Sequence, residues 1–456
     1  MPDIKKRPNL LFIFPDEFRA QSMGFMEQDP VMTPNIDNLA AEGLVLRDVV
    51  SNYPVCTPYR GMLMTGKYPF ASGLTSNCNS TNNRYGVWLK QEEICFSDVL
   101  NAAGYETGYV GKWHLDPPEE PYEYLEPRRN NGVIWDAFTS RERRHGFRFW
   151  HSYGCCDNHN EPHYWSGDRV EDRIDVSQWS TEYEADIISE YLLNKGNEKR
   201  DRNKPFALFW SPNPPHMPFH MVPDRYKKMY ESYSQEELLA RVNVQEKTAQ
   251  LERDARNYFA MITGVDDQIG RVLQTLETAG LAEDTIVIFT SDHGEMMGSH
   301  GRMGKSVWYE ESMVVPFIIR WKGVIEPGER RLMLSAPDLM PSILSLLGCG
   351  DRIPSGVQGE NYAKAILGED GPRPDAALYM QLNPGDWSQG SRGLRTERYT
   401  FVIAGQDDQE VRLLFDNVED PYQLENRFEQ LPDVADELEA EMRMRLQRIG
   451  DPRYTK

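Results

Sequence analysis

The feature that most constrains this chain is a series of short apolar runs, each emptying into polar residues and each parted from the next by a helix-periodic segment. Residues 9–14 run into Pro15-Asp16-Glu17, and 107–111 into Lys112-Trp113-His114. Residues 206–210 lead to Ser211-Pro212-Asn213-Pro214-Pro215-His216, and 286–290 to Ser291-Asp292-His293-Gly294. Runs of this length without polar alternation read as strands covered on both faces, as in parallel sheets. Further strands are predicted at 44–50 and 315–320. The intervening segments carry helix punctuation: Thr33-Pro34 before 34–42 with Gly43 after it, Gly104 after 97–103, Gly280 after 251–278, and Gly348 after 337–347. A further amphipathic helix is predicted over 181–195. This alternation predicts an α/β fold, a large mixed or parallel sheet sandwiched by helices.

The texture changes near residue 365. Residues 368–374 read as a linker, followed by short strands at 377–381, 395–403 and 411–415 and a helix at 434–449. The expectation is a main domain over 1–370 and a smaller α+β subdomain over 371–456 containing an antiparallel sheet.

In open α/β sheets, ligands collect at the carboxyl ends of the strands. Asp16, Lys112, His114, His216, Asp292 and His293 therefore fall on one rim. A lone His is more often a satisfied core residue and a lone Lys a solvated one; the ordered set outweighs that reading. Between the first runs lies Pro54-Val55-Cys56-Thr57-Pro58-Tyr59-Arg60-Gly61. Pro58 suits the first turn of a helix, where its missing N–H costs nothing. Cys56 then sits at the helix N-terminus, whose partial positive charge favours an anionic nucleophile. Arg60, one turn on, is expected to reach the thiol.

Lys and Arg number 50 against 71 Asp and Glu, a formal net charge of −21. That argues against a nucleic-acid partner, and any anion site must be a local basic pocket in an acidic body. The apolar stretch after Lys5-Lys6-Arg7 is too short for a leader, and no run approaches the roughly 20 residues of a membrane span. The expectation is a cytoplasmic chain without a membrane partner, or a periplasmic or secreted one whose leader has been removed. Six cysteines are too sparse for a disulfide scaffold and read as reduced.

Cys56-Thr57-Pro58-Tyr59-Arg60-Gly61 resembles the signature of the type I sulfatases. Gly111-Lys112-Trp113-His114, His216 within Pro-Pro-His-Met-Pro, Asp292-His293 and Lys305 match further family elements in order. The resemblance spans 9–348 and, more weakly, 393–396 and 414–416. It implies an alkaline-phosphatase-like fold and hydrolysis of a sulfate ester, with a carbohydrate sulfate the leading substrate. It also implies that a maturation enzyme converts Cys56 to formylglycine, whose hydrated aldehyde is the nucleophile. One divalent cation is implied, held by Asp16, Asp292, His293 and an oxygen of the modified Cys56. Such an oxygen-rich set favours Ca²⁺, with Mg²⁺ or Mn²⁺ as alternatives. The family often has Asp-Asp where this chain has Asp16-Glu17, so Glu17 is left open as a ligand. Arg60, Lys112 and Lys305 would spread positive charge around the sulfuryl oxygens, and His216, with Lys305, would protonate the leaving alcohol. His114 would deprotonate the second hydroxyl so that sulfate is eliminated. Two rivals stand beside this reading: a phosphonate monoester or phosphodiester hydrolase of the same superfamily, and a silent binding protein with unmodified Cys56.

Residues 117–178 lack a clear period and are rich in aromatic residues and His, the mark of a functional loop. Asn77, His159, His163 and Trp165 are candidate substrate contacts, with the rings of Tyr164 and Trp165 offered to a sugar. A zinc site among His151, Cys155, Cys156, His159 and His163 is the weaker reading, for want of paired ligand spacing.

Overall fold

The computed structural model describes residues 7–125, 132–405 and 410–455. Lys5 and Lys6 lie outside them. In chain order the main body contributes β1 (Asn9–Ile13), β2 (Leu44–Leu46), β3 (Glu106–Lys112), β4 (Phe149–Tyr153), β5 (His163–Tyr164), β6 (Ile174–Asp175), β7 (Phe206–Ser211), β8 (Thr285–Thr290), β9 (Phe317–Arg320) and β10 (Gly328–Arg330). β5 and β6 pair with each other, and the other eight form one sheet in the order β10-β2-β9-β8-β1-β7-β3-β4. From β8 to β4 all neighbours are parallel, whereas β9 runs antiparallel to both β8 and β2. The sheet is mixed.

β1 lies near the middle and shows why its run is apolar throughout. Leu10 and Phe12 enter a core shared with helices Cys56–Thr65, Phe96–Ala102 and Ala336–Leu346. Leu11 and Ile13 enter the opposite core, with helices Pro34–Glu42, Ser180–Leu193 and Ala249–Thr278. Alternate side chains thus go to two apolar layers, and neither face meets water.

Three expectations are corrected. The 117–178 stretch is not wholly irregular: β4 extends the main sheet at its edge beside β3. Its sequence, Phe-Trp-His-Ser-Tyr, holds strand-favouring aromatic residues but no aliphatic run, so it does not stand out within an aromatic-rich stretch. The 44–50 strand ends at Leu46, and Val50 only bridges to Val314 and Ser335. In the C-terminal region four strands stand where three were expected: β11 (Ala376–Asn383), β12 (Asp386–Thr396), β13 (Tyr399–Ala404) and β14 (Val411–Asp416), antiparallel in that order. The expected 395–403 strand is broken at Glu397-Arg398 into β12 and β13. The polar start of β12 concealed a strand because that half is only partly buried and pairs only with β11. Helix Pro432–Arg448 covers this sheet, and Leu378, Leu394, Phe401 and Met442 join the same core as Leu10 and Phe12.

Candidate active site

Four strands of the parallel part end at one place. Past β1 the chain keeps pairing with the β7 side, Phe14 N–H to the Trp210 carbonyl and Asp16 N–H to that of Pro212, both at 2.9 Å. Glu17 then turns at φ 66°, its N–H donating to Asp292 Oδ1 at 3.1 Å, while Phe18 N–H donates to Ser291 Oγ. The Asp16 and Asp292 corners are thereby stitched together. Gly111, beside Ser211 in the β3–β7 register, has φ 98°, and a Cβ there would lie 2.2 Å from the Ser211 carbonyl oxygen. Only glycine fits before Lys112.

Cys56 opens the Cys56–Thr65 helix as expected, and Asn77 Oδ1 accepts the Thr57 N–H at 3.0 Å. Thr57 Oγ1 donates to the His114 carbonyl at 2.7 Å and accepts the Cys78 N–H, which locks the helix start to the strand end after β3. Cys56 Sγ is buried 3.4 Å from His293 Nε2, 3.7 Å from Asp16 Oδ1 and 3.9 Å from Lys112 Nζ. Lys112 Nζ lies 2.8 Å from Asp16 Oδ2, and Arg60 Nη2 lies 3.0 Å from both Asp16 Oδ2 and Asp292 Oδ2.

These contacts set the charge states. Burial and Asp16 both push the Cys56 thiol up, yet Lys112, Lys305 and His293 outweigh them and bring it down to about 6. Asp16, despite its burial, is held well below the usual carboxylate range by Lys112 and His216, with Lys305 and His293 adding to them. Burial, then the neighbouring Asp16 charge, raises Asp292 to about 6. Burial alone would lower His293, but Asp292 raises it to about 9. Burial and Lys112 depress His114, so its imidazole is neutral.

Asp16, Cys56, Asp292 and His293 each offer a ligand atom, all within 4.8 Å of one another and all buried. His293 Nδ1 lies 3.1 Å from the Gly294 carbonyl; with a proton donated there, Nε2 faces the cluster and would bind a cation that displaces its own proton. Two carboxylates and one imidazole around a point, with an oxygen at position 56 in place of sulfur, fit a hard divalent cation. Glu17 is outside this four-residue group. Its Oε1 lies 3.1 Å from Lys305 Nζ and its Oε2 3.4 Å from His216 Nε2, so Lys305 and His216 reach the site beside it.

Several expected roles change. Arg60 does not bond the thiol; its guanidinium goes to Asp16, Asp292, the Lys112 carbonyl and Ser211 Oγ, so it organises the carboxylates. His114 follows Lys112 in a left-handed turn, its φ being 51°. Its Nε2 meets the Cys78 carbonyl at 3.0 Å, while its buried Nδ1 has no hydrogen-bond partner among the described residues. Trp165 and Tyr164 are closed to a sugar: both are buried in an apolar cluster with Tyr153 and Ile134, and Tyr164 donates to Glu184. His163 is buried against Asp136 Oδ2 at 2.8 Å, and His159 Nε2 against the His216 carbonyl at 2.8 Å. Asn77 is half-buried, with its acyl oxygen spent on the helix start. Among the described residues His151, Cys155, Cys156, His159 and His163 form no metal-binding group, and His151 stacks on Tyr164.

Sequence reasoning missed Asn213, whose Oδ1 accepts from Lys112 Nζ at 3.1 Å. The signal was available, since Asn213 follows β7 as Lys112 ends β3. It also missed Asp157, 3.5 Å from His216 Nδ1, for which no periodicity speaks.

Comparison with known proteins agrees with this geometry. Residues 8–349 match the Sulfatase family and 298–451 the C-terminal region of N-sulphoglucosamine sulphohydrolase. An endo-4-O-sulfatase of Bacteroides thetaiotaomicron is 41% identical, over 99% of this chain and 94% of its own. An ulvan-active sulfatase of Formosa agariphila is 33% identical, over 98% of this chain and 83% of its own. A crystal structure from Bacteroides thetaiotaomicron, described in connection with glycosaminoglycan metabolism, superposes with TM-score 0.92 at 40% identity, covering 98% of each chain. With the Cys56-bearing helix, the carboxylate pair and the lysines converging on one rim of an alkaline-phosphatase-like sheet, the chain belongs to the sulfatase family and is a sulfuric ester hydrolase.

Proposed function

We propose that this sulfatase removes a 4-O-sulfate from within a sulfated glycan, using formylglycine at position 56 and one divalent cation, Ca²⁺ in the first place. The observation that carries the chemistry is the position of Cys56 Sγ, in reach of His293 Nε2, Asp16 Oδ1 and Lys112 Nζ at once. A side chain there touches both the cation ligands and a cation for the sulfuryl group. The substrate follows from the relatives: a 41% identical endo-4-O-sulfatase and an ulvan-active sulfatase support a polysaccharide sulfate.

Asp16, Asp292 and His293 would hold the cation together with position 56. Bound there, a hard cation lowers the pKa of an attached hydroxyl and so supplies a nucleophile at neutral pH. Arg60 spans the two carboxylates and fixes their angle. Lys112 and Lys305 present ammonium groups to the sulfuryl oxygens, where charge develops in the transition state. His216, kept neutral by burial and by Lys305, would take a second proton at Nε2 from Glu17, whose carboxyl is pushed up by burial 3.4 Å away, and pass it to the leaving alcohol. His114, neutral and with Nδ1 unengaged, takes a proton to release sulfate.

The test joins intact mass with turnover of defined sulfated disaccharides. A preparation made with the maturation enzyme should show the mass loss of thiol-to-aldehyde conversion at residue 56 and prefer 4-O-sulfate. Full activity in Cys56→Ala would refute the nucleophile. Preference for 2-O- or 6-O-sulfate would refute the position, and faster turnover of an aryl phosphonate than of any sulfate would refute the substrate class.

A further inference from the structure

We infer that Asp157 and Asn213 are positioning residues that join the sulfuryl-binding lysine to the leaving-group acid. The proposal rests on the reading of His216 as proton donor. It assigns a role to the segment after β4 that sequence had given to sugar recognition.

Asn213 is fully buried, and its amide is engaged at both ends. Oδ1 accepts from Lys112 Nζ at 3.1 Å, while Nδ2 donates to the Cys156 carbonyl at 2.7 Å and to Asp157 Oδ1 at 3.1 Å. That same Asp157 oxygen lies 3.5 Å from His216 Nδ1, which also donates to the Met217 carbonyl at 2.8 Å. The backbone holds His216 as well: its N–H donates to the Asn213 carbonyl at 3.0 Å, and its carbonyl accepts from His159 Nε2 at 2.8 Å.

The consequence is directional. With two acceptors facing Nδ1, the ring keeps one proton there, so the proton given to the alcohol is a second one taken up at Nε2, which turns to the Glu17 and Lys305 side of the site. The acyl oxygen of Asn213 accepts only from an ammonium, so Lys112 is held with one hydrogen toward Asn213 and another toward Asp16. One amide therefore fixes the spacing between the group that grips sulfate and the group that protonates the alcohol.

The chain of contacts predicts a split by leaving group. A good leaving group needs no proton, so misplacing His216 costs it little; a sugar alcohol needs the proton fully. Asp157→Ala, assayed with aryl sulfates of graded phenol pKa and with a glycan sulfate, should slow the poorest leaving groups by roughly 10- to 100-fold. The best should stay within about threefold, with KM little changed, so that log(kcat/KM) against leaving-group pKa becomes steeper. Asp157→Asn keeps the acceptor oxygen and should restore the wild-type slope, and it serves if the alanine variant fails to fold. Asn213→Ala frees Lys112 as well and should slow every substrate, poor leaving groups most.

His216→Ala separates the two ideas. If it leaves the slope unchanged, His216 is not the proton donor and the parent reading falls. If it steepens the slope while Asp157→Ala slows all substrates alike or none, the positioning role is refuted.

Discussion

Glu184 gives a test of the structure through stability alone. It is fully buried behind β7, accepting from Trp210 Nε1 and Tyr164 OH, each at 2.9 Å, with no cation among its hydrogen-bond partners in the described residues. Burial raises its carboxyl to about 8, the two hydrogen bonds opposing that shift only in part. In the unfolded chain a Glu titrates near about 4.3. Between these values the folded protein holds a proton that the unfolded chain has lost, so stability falls as pH rises, by about 1.4 kcal/mol per unit. Integrated from pH 5 to 8, the loss from this one group is about 3 to 4 kcal/mol. Glu184→Gln removes it. The Gln oxygen can accept from Trp210, and its amide can donate to Tyr164, whose hydroxyl proton turns to the Ser180 carbonyl 3.5 Å away. Urea midpoints across this pH range should show the variant gaining on the wild type at each step and clearly ahead at pH 8. A difference that stays constant with pH, or a wild type more stable at pH 8, would refute the reasoning.

Cation removal by a chelator should abolish turnover, with Ca²⁺ or Mg²⁺ restoring it; restoration by Zn²⁺ alone would contradict the oxygen-rich ligand set. Arg60→Ala leaves Asp16 and Asp292 without their shared guanidinium and should cost about 3–5 kcal/mol in denaturant unfolding, so an unshifted midpoint would count against that bridge. Trp165→Ala should cost about 3–5 kcal/mol of stability while leaving the kcat/KM ratio between glycan and aryl sulfate unchanged; a changed ratio would return Trp165 to the substrate.

The main sheet was legible because its strands are buried on both faces and announce themselves as apolar runs. The rim was legible for the same reason: Asp16, Lys112, His216 and Asp292 each follow such a run. What sequence hid depends on contacts between distant segments. β4 has no aliphatic run, and its aromatic residues did not stand out from their surroundings; its pairing with β3 reveals it. Arg60 was expected at the thiol because both lie on one helical face, but two carboxylates from other strands outbid it. Tyr164 and Trp165 looked like sugar platforms, since aromatic residues in a loop read alike whether they face water or a second, local core.

The burial of Cys56 also sets an order of events. The thiol sits in the first turn of a helix whose ten residues are all buried, and it meets Asp16, Lys112 and His293 from three strand ends. No second enzyme can put an active site around it once that helix has packed. If position 56 is converted as proposed, conversion would belong to the newly made, still open chain, and folding would close the interval in which it can happen. The ratio of converted to unconverted molecules would then be fixed at synthesis and stay unchanged in the folded population. Specific activity would report how the chain was made, and prolonged exposure of folded protein to the maturation enzyme would not raise it.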